Sequence, residues 1–168
     1  GIFIACLALG VMTIAAVSSL SRGLSEGLSR EGRRILGGDA AFTLIHREAT
    51  QPERSTLAGF GAVSQIATLR GMANAGDKGA ALVEIKAVDG LYPAIGTLAT
   101  EPARPVAELL QRQDETHGGI VDPVLLARLE LKVGDIVNIG AARVELRAAL
   151  VSEPDKIATG VGFGPRLI

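Results

Sequence analysis

The chain opens with an apolar run, GIFIACLALGVMTIAAVSSLS, that carries no charged residue from position 1 to position 21. A helix rises about 1.5 Å per residue and the hydrocarbon core of a bilayer is about 30 Å thick, so a run of this length predicts a transmembrane helix over residues 1–21. A cleaved signal peptide is the alternative, although the apolar region of a signal is usually shorter.

A four-residue repeat, SRGL-SEGL-SREG, follows the apolar run. On a helix this spacing stacks like residues in rows one turn apart. The rows are Leu20, Leu24 and Leu28; Gly23 and Gly27; and Arg22, Glu26 and Arg30. The pattern predicts that the span continues as an amphipathic stalk over 22–38, ending at Gly37 and Gly38 after Arg33 and Arg34. Because glycine costs about 1 kcal/mol inside a helix, a flexible tether is the alternative.

The next segment predicts a strand, helix, strand, strand unit. DAAFTLIH at 39–46 has strand character, and Thr50 with Glu53 has the spacing of a capping box, which predicts a short helix to Gly59 or Gly61. Residues 63–72 predict a strand by residue type, and NAGDKG at 74–79 predicts a turn. The following strand alternates, with four apolar positions facing inward and two charged positions outward: Ala81, Val83, Ile85 and Ala87 against Glu84 and Lys86.

Residues 91–119 give a weak signal, in which only PVAELLQRQ predicts a short helix. Asp122 as N-cap with Pro123 in the first turn then predicts a helix, and 135–139 a strand. A last strand alternates between two sets: Val144, Leu146, Ala148 and Leu150 against Arg143, Glu145 and Arg147. The chain returns through a loop rich in Gly and Pro to the start of a further strand at Ile168. These elements predict an α+β fold.

Charge and composition argue against several kinds of ligand and covalent link. The chain has 17 basic and 18 acidic residues and only 3% aromatic residues, so neither a strong positive field nor a stacking platform is available, and nucleic acid binding is disfavoured. The single cysteine, Cys6, excludes an intramolecular disulfide framework and a zinc site built from several thiolates.

Candidate catalytic chemistry is sparse. The two histidines, His46 and His117, have no Cys, His or carboxylate at ligand spacing, and no serine lies in a G-x-S-x-G elbow. Gly160-x-Gly162-x-Gly164 lacks the spacing of a dinucleotide fingerprint, and no phosphate-binding G-x-x-x-x-G-K-[ST] loop is present. We therefore predict no catalytic, cofactor-binding or metal-binding residues and no enzyme activity, with a periplasmic hydrolase as a minor hypothesis.

Several stretches together resemble a known family. They are IACLALGVMTIAAVSSLSRGLSEGL, LGGDAAFTLIHREA, ALVEIKAVDGLYP, VDPVLLARLELKVGDIVNIG and SEPDKIATGVGFGPRLI. They are similar to the first membrane helix and extracytoplasmic domain of FtsX-like, MacB-type ABC transporter permeases. The branch they resemble most is the YbbP type, which is encoded with a small ATPase and a lysophospholipase. The GGD strand entry and the L-x-x-G-D-x-V-x-I-G hairpin carry most of this resemblance.

The resemblance implies a domain plan. Residues 1–21 would be the transmembrane helix, 22–38 the stalk, 39–92 the first half of a porter-like subdomain and 93–153 an inserted subdomain often called sabre. Residues 154–168 would be a return segment that is cut off, since the family has a second porter half and three further membrane helices. We expect the chain to be a truncated part of such a permease.

The resemblance also implies a function. A separate ATP-binding subunit would close on ATP, and the stalks of two permease copies would carry this motion to paired periplasmic domains, extracting or expelling lipid-like or hydrophobic substrates. The implied location is the bacterial inner membrane with the soluble part in the periplasm. Implied partners are the ATPase, a second permease copy, membrane lipid and a periplasmic protein such as a lysophospholipase. A membrane-tethered binding or adaptor module without transport is the alternative.

Overall fold

The computed structural model describes residues 1–154 and 164–168. It begins with one long helix, α1, over Ile2–Leu36. The helix ends as the sequence predicts, because Gly37 adopts a left-handed conformation with φ 68° and the Gly38 N–H donates to the Arg33 carbonyl at 3.1 Å. This bond satisfies a carbonyl that the last helical turn leaves open. The continuous helix corresponds to both the predicted span and the predicted stalk.

The segment between α1 and the sheet contains the short helix α2, Gln51–Ala58, which confirms the capping-box prediction. The strand predicted over 39–46 is wrong: this segment has no regular structure, and Phe42 and Ile45 are 72% and 76% exposed. A strand requires a neighbouring strand to accept its backbone hydrogen bonds. Among the described residues, none pairs with this stretch.

The strands that follow form one mixed sheet. They are β1 Ile66–Asn74, β2 Ala80–Val88, β3 Ala99–Glu101, β4 Thr116–Val121, β5 Ile136–Ile139, β6 Ala142–Ser152 and β7 Arg166–Leu167. In the described part of the chain their order is β3-β6-β4-β7-β2-β1-β5, and β5 also pairs with β6. This second pairing closes the sheet into a small barrel, with β3 added beside the far end of β6.

Two short helices cover the barrel. Helix α3, Val106–Leu110, packs on β4, and helix α4, Pro123–Arg128, follows β4 directly. The Asp122 side chain accepts a hydrogen bond from the Val124 N–H at 2.9 Å, so the predicted N-cap is confirmed. Gly76–Lys78 forms a short 3-10 turn where the sequence predicts the β1–β2 turn.

The core consists of two adjoining apolar clusters. The first is formed by Ala73, Ala81, Val83, Val121, Leu125, Leu129, Leu131, Val137, Val144, Leu146 and Leu167. The second is formed by Leu109, Ile120, Ala148, Leu150 and Ile168. The inward face that alternation predicts for β6 is thus confirmed, with its four apolar residues divided between the clusters. Strands β4, β6 and the β7 end contribute to both.

Two features of the barrel differ from the sequence prediction. Strand β4, THGGIV, begins within residues 91–119, for which the sequence signal is weak and no strand is predicted. A Cβ on Gly118 would lie 1.9 Å from the Leu109 carbonyl oxygen, so α3 can pack on β4 only where a side chain is missing. In β2, Lys86 was expected to face solvent but is only 4% exposed, while Ala87 is exposed.

The strands of the predicted porter-like and sabre-like segments share this one sheet. The boundaries between 92 and 93 and between 153 and 154 stay a prediction. The glycine-rich part of the return segment, including Gly160 and Gly162, lies outside the described residues. Strand β7 confirms the strand predicted at the end of the chain.

Candidate functional site

Helix α1 has the dimensions of a membrane span. Its stretch Ile2–Gly27 is long and apolar enough, by length and composition, to cross a bilayer, and none of its most apolar window is buried by the rest of the chain. At about 1.5 Å per residue, these 26 residues extend for roughly 39 Å, more than the 30 Å or so of a bilayer core. The helix continues without a break to Leu36, so any span is rigidly joined to the segment beyond it.

One surface of α1 is shaped by small side chains. A Cβ on Gly23 or Gly27 would meet no atom within 4 Å, and the neighbouring Leu20 and Leu24 are 75% and 63% exposed. A shallow apolar concavity lies nearer the start of the helix, lined by Leu9, Met12, Thr13, Ala16 and Val17. The Thr13 hydroxyl donates to the Leu9 carbonyl at 2.8 Å, and the rest of these surfaces is apolar, which suits contact with lipid or another helix.

The second notable feature is a chain of buried charges where β2, β7 and the end of β6 meet. Lys86 Nζ lies 2.6 Å from Glu153 Oε1, and Arg166 Nη1 lies 2.6 Å from Glu153 Oε2. The second terminal nitrogen of the Arg166 guanidinium, Nη2, pairs with Glu84 Oε1. The Glu153 carboxylate is fully buried and the Lys86 side chain is 5% exposed, so each charge depends on its partner.

Tyr92 completes this charge network. Its hydroxyl accepts a hydrogen bond from Lys86 Nζ and donates one to Glu153 Oε1, both at 3.0 Å. The Lys86 ammonium also lies 4.4 Å from the centre of the Tyr92 ring, within the range of a cation–π contact. Two cations and two carboxylates balance, and both oxygens of Glu153 already accept hydrogen bonds. The charge network therefore holds strands together and does not present an open binding group.

The electrostatics of Arg166 fit this role. Burial alone would lower its pKa, but attraction to the Glu153 carboxylate, together with hydrogen bonds to Glu153 and Glu84, outweighs burial and raises the pKa. The guanidinium thus stays charged at any physiological pH. Backbone hydrogen bonds also hold the segment around Arg166 in place. The Glu84 N–H donates to the Pro165 carbonyl at 3.0 Å, and the Asp122 N–H donates to the Arg166 carbonyl at 2.8 Å. The short strand β7 is anchored on both sides.

The residues singled out from the sequence for chemistry do not assemble. His46 lies in the irregular segment before α2, and His117 is exposed on β4. The Ser64 hydroxyl is engaged in a hydrogen bond with Asp89 at 2.8 Å. Within residues 1–154 and 164–168, no group of three or more His, Cys, Asp and Glu side chains is placed to hold a metal ion.

Sequence reasoning missed the charge network. The only local signal is that Glu84 and Lys86 occupy alternate positions of β2 and so share a face with opposite charges. Their partners Glu153 and Arg166 are far away along the chain, and nothing in the spacing connects them. Arg147 is missed in the same way: it is 9% exposed, and its guanidinium donates to the Gln111 carbonyl at 2.7 Å beyond the end of α3.

Comparison with known proteins identifies one relative of this chain. No family model matches the chain. The chain is 31% identical over 164 residues to YbbP of Escherichia coli strain K12, described as an uncharacterised ABC transporter permease. The alignment covers 96% of this chain and 19% of that protein, so the chain spans about a fifth of its relative's length. Together with an apolar helix of membrane-spanning length joined to a mixed sheet, this similarity supports an ABC transporter permease of the YbbP/MacB-like type.

Proposed function

We propose that the chain acts as part of a permease subunit of an ABC transporter, in which α1 carries the motion of a separate cytoplasmic ATPase to the barrel. The observation that supports this most is the 31% identity to an ABC permease along 96% of the chain. The proposal assigns ATP hydrolysis to a separate ATPase subunit, as expected for a partner of an ABC transporter permease. The similarity does not favour the alternative of a tethered adaptor without transport.

The continuous helix is the physical reason for assigning transmission to α1. Displacement passes along a rod only if its hydrogen-bond ladder is unbroken, and α1 runs from Ile2 to Leu36 before its glycine cap. The barrel itself is stiffened by the charge network, in which Glu153 joins Lys86 of β2 to Arg166 of β7. Residues 37–65, in which α2 is the one regular element, join α1 to β1 and pass the helix movement on to the barrel in this proposal.

The proposed location is the bacterial inner membrane, with residues 39–168 in the periplasm. The family assignment supports this orientation, whereas the arginines after the span (Arg22, Arg30, Arg33 and Arg34) would by the positive-inside rule favour the cytoplasm. Fusion of a reporter after Asp39 tests the orientation. Alkaline phosphatase should be active there and green fluorescent protein dark; the reverse result would place the barrel in the cytoplasm.

The domain plan and substrate class belong to the same proposal. Residues 39–92 form the first porter-like half, 93–153 the sabre-like insertion, and 154 onward the return towards the membrane. The substrates are lipid-like or hydrophobic molecules moved at the membrane surface. The barrel supports this reading in one respect: its interior is filled with apolar side chains such as Val83 and Leu146, so a solute does not pass through it.

The proposed partners are those that the family resemblance implies: an ATPase, a second permease copy, membrane lipid and a periplasmic protein such as a lysophospholipase. Purification of the full-length permease from native membranes in lipid nanodiscs tests them, with mass spectrometry of bound proteins and lipids and an assay of ATP hydrolysis. We expect an ATPase in stoichiometric amount, with its activity dependent on the permease. Recovery of a periplasmic protein but no ATPase would support the adaptor instead.

A further inference from the structure

The arginines after the apolar run have no role yet in the fold or in the proposed function. Residues 22–38 contain four basic and two acidic side chains, and by the positive-inside rule the basic ones favour the cytoplasmic side of the membrane. The proposed orientation places them on the opposite side. Arginines that lie there against the rule call for a physical explanation.

Arg22 lies at the boundary of the bilayer when α1 spans it. The helical residues before it, 2–21, carry no charge and extend for about 30 Å, which equals the thickness of a hydrocarbon core. A bilayer is about 40–45 Å thick with its headgroups, so a headgroup layer of about 5–7 Å lies on each side. Arg22 is the first charged residue to enter this layer, which contains the lipid phosphates.

The Arg22 side chain is available for a partner outside the described chain. It is exposed, and within residues 1–154 and 164–168 no carboxylate pairs with it. Glu26, one turn further along the helix, has an interaction of its own. Arg33, in contrast, pairs with Asp39 at 3.0 Å. Arg22 therefore keeps its hydrogen-bond donors for another ligand.

Serine hydroxyls accompany Arg22 on the same side of the helix. A helix turns by about 100° per residue, so positions 22, 25, 29 and 33 fall within an arc of about 80°. Ser25 is exposed about one turn beyond Arg22. A serine hydroxyl donates readily to a phosphate oxygen that a neighbouring guanidinium already holds. The charged side of the helix thus combines a cation with a neutral donor.

Other helices of a permease have a different surface on which to pack. Leu20 and Leu24 lie about 160° from Arg22 around the helix, and Gly23 and Gly27 are on their side. Small and apolar residues suit close contact between helices in a membrane. Covering Arg22 with protein would instead bury a cation and would require a carboxylate to pair with it. The side that carries Arg22 suits contact with lipid headgroups.

We propose that Arg22, together with the Ser25 hydroxyl, binds the headgroup phosphate of an anionic phospholipid at the end of the span. The planar guanidinium offers two parallel N–H donors to phosphate, which an ammonium does not. The contact fixes the depth of α1 in the bilayer at the point where the stalk begins. The proposal rests on the membrane location proposed above and names the class of lipid that the chain binds.

Lipid binding by the full-length permease tests this contact. The protein is delipidated in detergent and titrated with phosphatidylglycerol, and native mass spectrometry gives the dissociation constant of the tightest-bound lipid. We expect Arg22→Gln to raise this constant about fivefold, as for the loss of one arginine at an anionic membrane surface. Arg22→Lys should give an intermediate value, because it keeps the charge and loses the paired donors. Phosphatidylcholine should bind the wild type and Arg22→Gln equally.

The matched control is Arg128→Gln. It removes the same charge from an exposed position on α4, away from the membrane helix, and should leave the dissociation constant unchanged. Protease resistance of the barrel shows that each variant is folded. An equal increase for Arg22→Gln and Arg128→Gln would mean that only the net charge matters, which would overturn the proposal.

Inorganic phosphate distinguishes a lipid site from a site for soluble anions. The acyl chains hold the lipid phosphate at the depth of Arg22, so inorganic phosphate should displace phosphatidylglycerol no better than chloride at the same ionic strength. Stronger displacement by phosphate would assign the site to a soluble anion. If Arg22→Gln lost stability and still bound phosphatidylglycerol like the wild type, Arg22 would be paired with a carboxylate elsewhere in the permease. Either result contradicts the proposal.

The outcome is separable from the permease assignment. A preference for phosphatidylglycerol that depends on Arg22, in a protein that binds no ATPase, keeps the lipid site and removes the transporter function. A bound ATPase with unchanged lipid binding in Arg22→Gln keeps the function and removes the lipid site.

Discussion

At the scale of single residues, one substitution in the charge network around Glu153 should have a large effect on stability. Lys86→Met removes one of the two cations that hold a fully buried carboxylate. Because the remaining charge stays buried with too few partners, we expect a loss of about 3–5 kcal/mol of stability. Chemical unfolding of the permease in detergent, followed by far-ultraviolet circular dichroism, measures it.

The control for this variant is Lys78→Met. It breaks the ion pair between Lys78 and Asp135, whose side chains are 47% and 36% exposed and separated by 3.0 Å. Exposed pairs contribute about 1 kcal/mol or less, so this change should be close to neutral. If both variants lost the same stability, the network would be contributing no more than a surface ion pair.

A pH dependence is expected at the start of α2. Hydrogen bonding from Arg47 and then from the Thr50 backbone and hydroxyl lowers the pKa of Glu53 to about 2, from an ordinary value of 4.5. Since the folded pKa is the lower one, the stabilising effect is complete above about pH 4.5 and is lost as the pH falls towards 2. Hydrogen exchange of α2, corrected for intrinsic rates, should therefore rise across this interval.

Two variants check the cause of this dependence. Arg47→Met removes the largest contribution to the shift, so the increase in exchange should begin at a higher pH. Glu48→Gln changes a neighbouring carboxylate whose side chain takes no part in the cap and should leave the profile unchanged. A wild-type profile that is flat between pH 4.5 and 2 would contradict the assignment.

At the scale of elements, strand β4 depends on its glycines. Gly118→Ala would bring a Cβ within 1.9 Å of the Leu109 carbonyl oxygen and 2.6 Å of an Arg147 guanidinium nitrogen, so α3 must move away. We expect a loss of about 3 kcal/mol or more in unfolding free energy. Gly61→Ala, where a Cβ would meet nothing within 4 Å, should stay within about 0.5 kcal/mol of the parent.

The same strand shows why part of the fold could not be predicted from the sequence. Local rules suffice where the signal is local, as in the cap at Asp122 and the alternation of β6. They fail at Gly118, because the reason for glycine there is the approach of α3, which contacts β4 only in the folded chain. They fail at Lys86 for the same reason: its partner Glu153 is supplied by the end of another strand.

For the segment 39–46 the error was the opposite: the sequence predicts a strand that the structure does not contain. Its residues have strand propensity, but propensity for the extended state becomes a strand only when backbone partners are present. The prediction considered residue type and ignored pairing. The charge network was not predicted either, whereas the long apolar helix α1, whose signal is a simple run of apolar residues, follows directly from the sequence.

Helix α1 gives a prediction about coupling. Gly27→Pro removes a backbone donor and bends or breaks the helix between the span and Leu36, whereas Gly27→Ala keeps the ladder and introduces a Cβ that meets nothing within 4 Å. In the proposed complex, the proline variant should hydrolyse ATP yet fail to transport, with a protease-resistant barrel. Spin labels at the exposed Ser55 should report an ATP-dependent distance change in the alanine variant only. Wild-type transport by Gly27→Pro would show that rigidity of the stalk is unimportant.

At the scale of the whole molecule, the closed sheet determines how the barrel unfolds. Strand β7 lies between β4 and β2. Its last residue, Leu167, packs in the first apolar cluster, and the next residue, Ile168, packs in the second. The Ile168 backbone also exchanges two hydrogen bonds with Ile120, both at 2.9 Å. The two clusters thus share strands and a common seam, so they should form one cooperative unit even though the sequence suggests two subdomains.

Paired core substitutions distinguish one unit from two. Leu167→Ala affects the first cluster and Leu109→Ala the second; both side chains are almost fully buried, and each change should cost about 2–5 kcal/mol. If the barrel is one unit, each variant shifts a single unfolding transition and raises hydrogen exchange in both β2 and β4. If the segments 39–92 and 93–153 fold independently, Leu109→Ala would split the transition and leave exchange in β2 unchanged. The shared sheet favours the first result, because β2 cannot keep its β7 neighbour once β4 and β6 have separated.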